Sequence, residues 1–434
     1  MHDFLPQKAE RAARLENIAR TVFACFGYRE IRTPTMENAA LFERAIGQAT
    51  DIVEKEMFSL KDRGERLLCL RPEGTAGVVR AFIEHHLDQE SALQKLFYIA
   101  PMFRAERPQA GRYREFYQIG GEYFGDKSSA ADAETIVLLS TLLSKLGVHH
   151  PEIRLNSIGC ENCRPMYQEK LLAFLAEKKE NLCGDCRRRM EKNPLRALDC
   201  KTDQAQFELA PCSLDHLCAE CLRHHEEVLS YLDAGKICYR INRRLVRGLD
   251  YYTRTVFELY AAAKNGALAT GATDSIGATS LTGATFAAEG SQDALAAGGR
   301  YDQLVRNLGG PQMPAIGFAM GLERVLNFLE ANAETDGAAA ENVSRGVFIC
   351  AMGDGTLKKA FELLQQLRSK DIRSSAVLDN RSLKSQMRLA NNWNARYCLI
   401  LGEDEVKQNQ VTIKDLQLHT QETVAAEQIF SKIL

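Results

Sequence analysis

The chain has 434 residues, 45% of them hydrophobic and 26% charged, with a formal net charge of −2. That length supports two or three domains with substantial cores, and the balanced charge argues against a uniformly basic nucleic-acid coat while leaving room for local basic patches. No apolar run reaches the roughly 20 residues that cross a bilayer, and the opening MHDFLPQKAERAARLE lacks the apolar core of a signal peptide. Thirteen cysteines without such a signal favour reduced thiols in a cytoplasmic protein, some of them able to bind metal.

Leu15, Ile18, Ala19, Val22, Phe23 and Phe26 recur at helical spacing, which predicts a helix over 8–26 with Gly27 as its C-terminal cap. GYREIRTP follows as a short strand stopped by Pro34, and 38–45 reads as a second helix. A strand over 66–70 then leads into a helix over 75–86. Glu73, Gly74 and Thr75 sit at that junction, where a helix exposes unpaired N–H groups. Thr75 reads as an N-cap. Glu73, a carboxylate beside a hydroxyl, suits an ammonium group.

Bulky apolar residues alternate over 95–103 and again over 115–124, predicting two strands joined by the polar loop ERPQAGRY. Arg104, Arg107, Arg112 and Arg114 flank this hairpin. Residues two apart on a strand share a face, so Gln118, Gly120 and Glu122 project together, with Gly120 leaving room between two polar groups. Guanidinium groups beside them suit an anion such as phosphate, which they grip in bidentate fashion.

A helix over 131–146, capped by Gly147, and a strand over 152–159 come next. The character changes over 160–239, which is helical in period, rich in charge and carries nine of the thirteen cysteines. It reads as an inserted module. Three C-x-x-C pairs lie within it: Cys160/Cys163, Cys183/Cys186 and Cys218/Cys221. Nineteen residues separate the first two pairs, a spacing that makes Cys160, Cys163, Cys183 and Cys186 a candidate structural zinc site, the alternative being buried thiols. Strand character returns over 236–260 on both sides of a polar centre where Arg247, Asp250, Tyr251 and Tyr252 gather around Gly248.

Residues 260–297 are rich in Ala, Gly, Thr and Ser and contain the six-residue repeat GATDSI, GATSLT, GATFAA, which reads as a flexible surface excursion. AAGGRYDQLV supplies a Gly-rich turn with Tyr301, and GPQMPAIGFAMGLERVLNFLE a strand running into a helix that carries Arg324. Residues 331–344 read as a linker. From 345 onward GVFICAM, YCLIL and VTIKDL are strands and 357–370 and 382–390 helices of a small α/β domain, with Asp379, Asn380, Arg381, Lys384 and Arg388 near a strand end.

FRAERPQAGRYREFYQ and AIGFAMGLERVL resemble the second and third class-defining motifs of class II aminoacyl-tRNA synthetases. LRPEGT and LVRGLDYYTRTVFE resemble segments specific to the histidyl-tRNA synthetase family, and VLDNRSLKSQMRLANNWNAR is similar to that family's anticodon-binding domain. The resemblance covers nearly the whole chain. It implies an α+β fold: an antiparallel sheet flanked by helices, formed by 1–159 and 240–330, with a helical insertion at 160–239 and a C-terminal anticodon-binding α/β domain at 345–434. It also implies a homodimer built around GYREIRTP. The implied reaction joins histidine to its tRNA, with ATP consumed and Mg²⁺ required in forming histidyl-adenylate. By the same resemblance, Arg104, Arg247 and Arg324 are catalytic, and Arg112 joins them in binding ATP. Glu73, Gly74, Thr75, Gln118, Glu122, Tyr251 and Tyr252 line the histidine site; Glu73, Thr75 and Gln118 take the amino group, and Glu122 and Tyr252 the imidazole. Zinc is not implied by the family. A related non-catalytic subunit that assists the first enzyme of histidine biosynthesis is the alternative; it would not charge tRNA.

Overall fold

The structure, a computed structural model, describes residues 3–48, 50–106, 112–261, 273–274, 278–279, 294–333, 346–353, 355–379 and 381–433. The chain divides into two units, Met1–Asn332 and Ala333–Leu434.

An eight-stranded sheet organises the first unit. Its strands in chain order are β1 (Arg29–Glu30), β2 (Gln94–Phe103), β3 (Glu115–Phe124), β4 (Glu152–Ser157), β5 (Arg240–Ile241), β6 (Thr253–Tyr260), β7 (Ala294–Arg300) and β8 (Ala315–Gly321). They lie side by side as β1-β2-β3-β8-β7-β6-β4-β5. The six inner strands pair antiparallel, and the short edge strands β1 and β5 pair parallel to β2 and β4. β2 and β3 stay in register over their whole length, from Gln94 opposite Phe124 to Phe103 opposite Glu115. Alternation therefore sends Phe97 and Ile119 to one face, where they pack with Leu15, Val22 and Phe23 of the helix Pro6–Cys25 and Leu139 of the helix Ser129–Lys145. Phe23 stacks on Phe97 at 4.4 Å. The first helix stops where expected, with Gly27 in the left-handed region at φ +77°.

One buried polar knot ties distant segments to this sheet. Arg300, at the end of β7, is wholly buried and donates through Nε to Asp132 at 2.9 Å, while His224 Nε2 lies 2.8 Å from the same carboxylate. Burial alone would raise the Asp132 carboxyl, but Arg300 and His224 override it and hold it down at about 2.

Residues 160–239 form the helices Arg164–Glu177, Gly184–Lys192 and Ala219–Ala234, linked by short 3₁₀ turns such as Pro194–Asp199. Tyr167, Leu171 and Leu175 bury in one cluster with Phe42, Phe82 and Tyr252, so this segment shares a core with the sheet. Of the repeat at 271–288, the strand pair Thr273–Asp274 with Ala278–Thr279 is described, and the rest of 262–293 lies outside the described residues; the two ends of the expected excursion are instead strand, Tyr260 closing β6 and 294–297 opening β7. The helix Leu322–Ala333 continues into the stretch expected to be linker, whose remainder also lies outside them.

The second unit is a five-stranded sheet of β9 (Val347–Ala351), β10 (Ser374–Ala376), β11 (Tyr397–Leu401), β12 (Gln410–Asp415) and β13 (Thr420–Ala425), ordered β10-β9-β11-β12-β13. The helices Thr356–Arg368 and Leu383–Asn392 follow β9 and β10. Gln386, fully buried, donates to the Ala351 carbonyl at 2.7 Å and accepts from the Ala351 N–H at 3.0 Å, which fastens the second helix to β9. Arg381 bonds Asp379 at 2.8 Å beside the N-cap Ser382; Asn380 lies outside the described residues. Among the described residues no helix is long and apolar enough to cross a membrane.

Candidate active site

The helix Thr75–Glu84 opens one wall of a cleft on the second face of the sheet. Its N-cap is Gly74, not Thr75. Glu73 caps it instead: the two carboxylate oxygens accept from the N–H groups of Thr75 and Ala76, each at 2.8 Å. The carboxylate, expected to suit an ammonium group, thus has a structural use as well, since an anion at a helix N-terminus satisfies orphan donors and complements the macrodipole. Released from capping, the Thr75 hydroxyl donates to Glu122 Oε1 at 2.7 Å.

Gln118 and Glu122 do share a face of β3, and Gln118 lines the cleft. The space over Gly120 is not open. The ring of Tyr98, directly across from it on β2, fills it: a Cβ on Gly120 would stand 2.3 Å from that ring, and one on Gly74 equally close. Tyr98 is itself buried and cannot retreat. Gly120→Ala should therefore destabilise the protein by about 1–3 kcal/mol through overpacking, read as a lowered midpoint in chemical denaturation; an unchanged midpoint would mean that the Tyr98 ring is mobile.

Glu122 lies fully buried beneath the cleft, where the Tyr301 hydroxyl donates to its second oxygen. Burial pushes its carboxyl up to about 8, against the opposing pull of the Tyr301 and Thr75 hydroxyls. Two of its lone-pair positions remain for a further donor. Tyr251 packs edge-on against Tyr301 at 5.6 Å and tilts against Tyr252 at 4.6 Å, closing an aromatic wall around it.

At the other end of the cleft the arginines converge. Arg104, Arg112, Arg247 and Arg324 all line it; Arg114 is exposed and Arg107 lies outside the described residues. Arg104 Nε donates to the Pro72 carbonyl at 2.9 Å, and its guanidinium lies over the Phe116 ring at 5.3 Å. Arg112 pairs with Glu106 at 3.2 Å. Arg247 pairs with Glu258, which also accepts from the Tyr260 hydroxyl. Burial pushes Arg324 below its ordinary value, and the like charges of Arg112 and Arg104 add to the effect. The Nε atoms of Arg112 and Arg247 and the Oε1 of Gln118 are buried without a hydrogen-bond partner. Like charges held together with unmet donors are costly unless an anion joins them.

Five contributors escaped the sequence reading: Glu106, Asp199 and Glu258 on the cleft wall, and Tyr98 and Tyr301 beneath it. Tyr301 had one signal, the glycines of GGRYD, which let the chain run close to its neighbours. Asp199 had none, because it stands in a short turn of the cysteine-rich segment.

The cysteines group differently from the expectation. Cys160 and Cys163 meet Cys218 and Cys221, whereas Cys183 and Cys186 meet Cys200 and Asp203. The helix Arg164–Glu177 explains why: its fourteen residues span about 21 Å, so Cys163 at its start and Cys183 beyond its end do not share a single tetrahedron.

An antiparallel sheet flanked by helices, with arginines gathered over one face, is the architecture of the class II aminoacyl-tRNA synthetases. A family model described as histidyl-tRNA synthetase matches residues 1–279 and 273–325, and one described as an anticodon binding domain matches 346–434. The chain belongs to the histidyl-tRNA synthetase family. It is similar to the histidine–tRNA ligases of Anaeromyxobacter dehalogenans (46% identical over 100% of this chain and 98% of that one) and Geobacter metallireducens (44%, over 98% and 95%). Among solved structures it resembles apo histidyl-tRNA synthetase of S. aureus, with a TM-score of 0.78 and 30% identity over 100% of this chain and 98% of that one.

Proposed function

We infer that the protein is a histidine–tRNA ligase, as its relatives are named. The observation that carries the reading is the single cleft with cations at one end and a hydroxyl- and carboxylate-lined pocket at the other. Histidine would sit over Glu122, its amino group near Glu73, Thr75 and Gln118 and its imidazole toward Glu122 and Tyr252. ATP would lie along the arginines. It enters as its Mg²⁺ complex, and Glu106, Asp199 and Glu258 offer the hard oxygen ligands that Mg²⁺ takes. The histidine carboxylate attacks the α-phosphorus, a P–O bond forms, and pyrophosphate leaves with the electrons of the broken one. Charge grows on the phosphoryl oxygens, where Arg104 and Arg247 act as prearranged donors, and Arg324 holds the far phosphates. A ribose hydroxyl at the 3′ end of the tRNA then takes the histidyl group and releases AMP. No side chain need form a covalent bond.

Selection for histidine follows from the floor of the pocket. A ligand without ring nitrogens would leave unmet the lone-pair positions of Glu122 that the Thr75 and Tyr301 hydroxyls do not occupy, and such sites reject analogues by about 10⁴-fold or more. The second unit would bind the anticodon stem-loop, with 160–239 an insertion within the catalytic part. We further read the chain as a cytoplasmic homodimer; Met36, Leu60 and Leu67 are exposed apolar residues on a three-stranded sheet of Met36–Asn38, Leu67–Leu70 and Ser59–Lys61 that follows GYREIRTP.

ATP–pyrophosphate exchange should require histidine and ignore other amino acids. Folded protein that exchanges nothing would hand the reading to a non-catalytic relative.

A further inference from the structure

The two cysteine clusters do not take part in the chemistry above, and their geometry is specific. Cys160 Sγ lies 3.8 Å from Cys163 Sγ and 3.9 Å from Cys218 Sγ, and all four sulfurs of that cluster lie within 4.8 Å of one another. Cys183 Sγ lies 3.7 Å from Cys200 Sγ, and the ligand atoms of Cys186 and Asp203 complete a second group within the same limit. A disulfide would bring two sulfurs to about 2.05 Å. Four thiolates bound to one zinc at about 2.3 Å stand about 3.8 Å apart along each edge of the tetrahedron. The three edges at 3.7, 3.8 and 3.9 Å are those of the tetrahedron, and the other ligand atoms of each cluster lie within reach of the same centre.

The backbone around each cluster is arranged for the same purpose. The Cys160 N–H points to Cys163 Sγ at 3.3 Å, and the Cys186 N–H to Cys183 Sγ at 3.4 Å. Such donors stabilise thiolates and fix the turn between ligands three apart. Gly159 sits at φ +72° with Cys163 Sγ 2.7 Å from where a Cβ would stand, so only glycine admits the sulfur there. Cys200 and Asp203 repeat the C-x-x-C spacing with a carboxylate as the fourth ligand. The Cys183 N–H donates to Asp203 Oδ2 at 2.9 Å, which orients that carboxylate and leaves its other oxygen for a cation. The contrast is Cys350 and Cys398, two thiols 3.2 Å apart in the core of the second unit with the thioether of Met387 beside them.

We propose that residues 160–221 hold two separate structural zinc ions, one on Cys160, Cys163, Cys218 and Cys221, the other on Cys183, Cys186, Cys200 and Asp203. The first staples the end of β4 to the start of the helix Ala219–Ala234. The second staples the start of the helix Gly184–Lys192 to the chain that follows the Pro194–Asp199 turn. From the first, Arg164 reaches the Tyr252 carbonyl; from the second, Arg196 reaches the Gly248 carbonyl. Each staple therefore ends against the Arg247–Tyr252 segment of the cleft. Closed four-ligand sites of this kind contribute folding energy directly.

Elemental analysis of protein purified without chelators should give about two zinc ions per chain. The pair Cys160→Ser/Cys163→Ser should retain about one, and Cys183→Ser/Cys186→Ser should retain the other. Should either pair fail to fold, native mass spectrometry of the unaltered holoprotein counts the metals directly. Alkylation mapping then asks whether the seven ligand cysteines stay unreactive until a strong chelator is added. Zinc at one equivalent or none, iron in its place, disulfides among these cysteines, or loss of both metals from a folded double variant would each overturn the proposal. None of these readouts depends on aminoacylation activity.

Discussion

Arg247→Ala is expected to slow histidyl-adenylate formation by about 10²–10³-fold, the usual loss when one prearranged donor to a developing oxyanion is removed, while histidine affinity changes far less. The reasoning is that its stabilisation grows with charge on the α-phosphate and so belongs to the transition state. A second effect accompanies it. Arg247 is the ion-pair partner of Glu258, whose carboxylate is buried and keeps the Tyr260 hydroxyl as its other hydrogen-bond donor. Burial by itself would lower the Arg247 guanidinium, and Glu258 overrides that and holds it above its ordinary value. Alanine therefore strands a buried charge and should also lower thermal stability. Arg247→Lys separates the two: it keeps a charge beside Glu258 and much of the stability, but cannot reproduce the planar fork and should recover little of the rate. Single-turnover adenylate formation, histidine titration and a melting curve on the same samples decide the matter. A variant that binds histidine poorly and yet reacts normally once saturated would remove Arg247 from the chemical step.

Glu122→Gln should raise the KM for histidine by about 10²-fold or more, the scale on which loss of one partner in a buried charge-assisted contact is felt, with a smaller effect on the saturated rate. The pH dependence is more diagnostic. Glu122 holds its proton up to about 8 in the folded protein, against 4.5 ordinarily, and free imidazole loses its proton near about 6.5. A complex with one proton shared between them forms without net exchange only between those two values. Histidine affinity should peak there, falling below about 6.5 because a proton must leave and above about 8 because one must be found. Glu122→Gln should abolish the alkaline fall. Stability carries the same signature: the folded state binds the extra proton, so Glu122 makes the unliganded protein progressively less stable as pH rises from 4.5 to about 8. The glutamine variant should lose that slope. Histidine affinity that is flat from pH 6 to 9 in the unaltered protein would contradict this account.

The hairpin that carries two of the arginines was legible almost to the residue: strands expected over 95–103 and 115–124 are found at Gln94–Phe103 and Glu115–Phe124. Alternating bulky residues and a Pro- and Gly-bearing loop are local signals, and local signals survive in sequence. What failed was long-range or degenerate. Tyr301 meets Glu122 across 179 positions, and nothing near either residue announces the other. Glu73 and Thr75 exchanged roles because a carboxylate and a hydroxyl two residues apart can each cap the same helix. β13 went unseen because its side chains, Val424 excepted, are exposed and leave no apolar alternation to read. The cysteine spacing identified the right residue type and the wrong partners, since equal spacings say nothing about which pairs the helices between them bring together.

The strand order also governs how this chain comes off the ribosome. β7 and β8 occupy the middle of the sheet yet are the last of its eight strands to be synthesised. Until they emerge, β3 on one side and β6 on the other each present an unpaired edge, and Asp132 waits 168 residues for Arg300. At about 5–20 residues per second that interval is roughly 8–34 s. During it the nascent chain carries two half-sheets with open edges, the form most prone to mispairing with a neighbour. Closure of the catalytic unit is thus a late translational event, and a chain released before Ala294 would hold Glu73, Thr75, Gln118, Glu122, Tyr251 and Tyr252 and neither of the two strands that join the halves of the sheet.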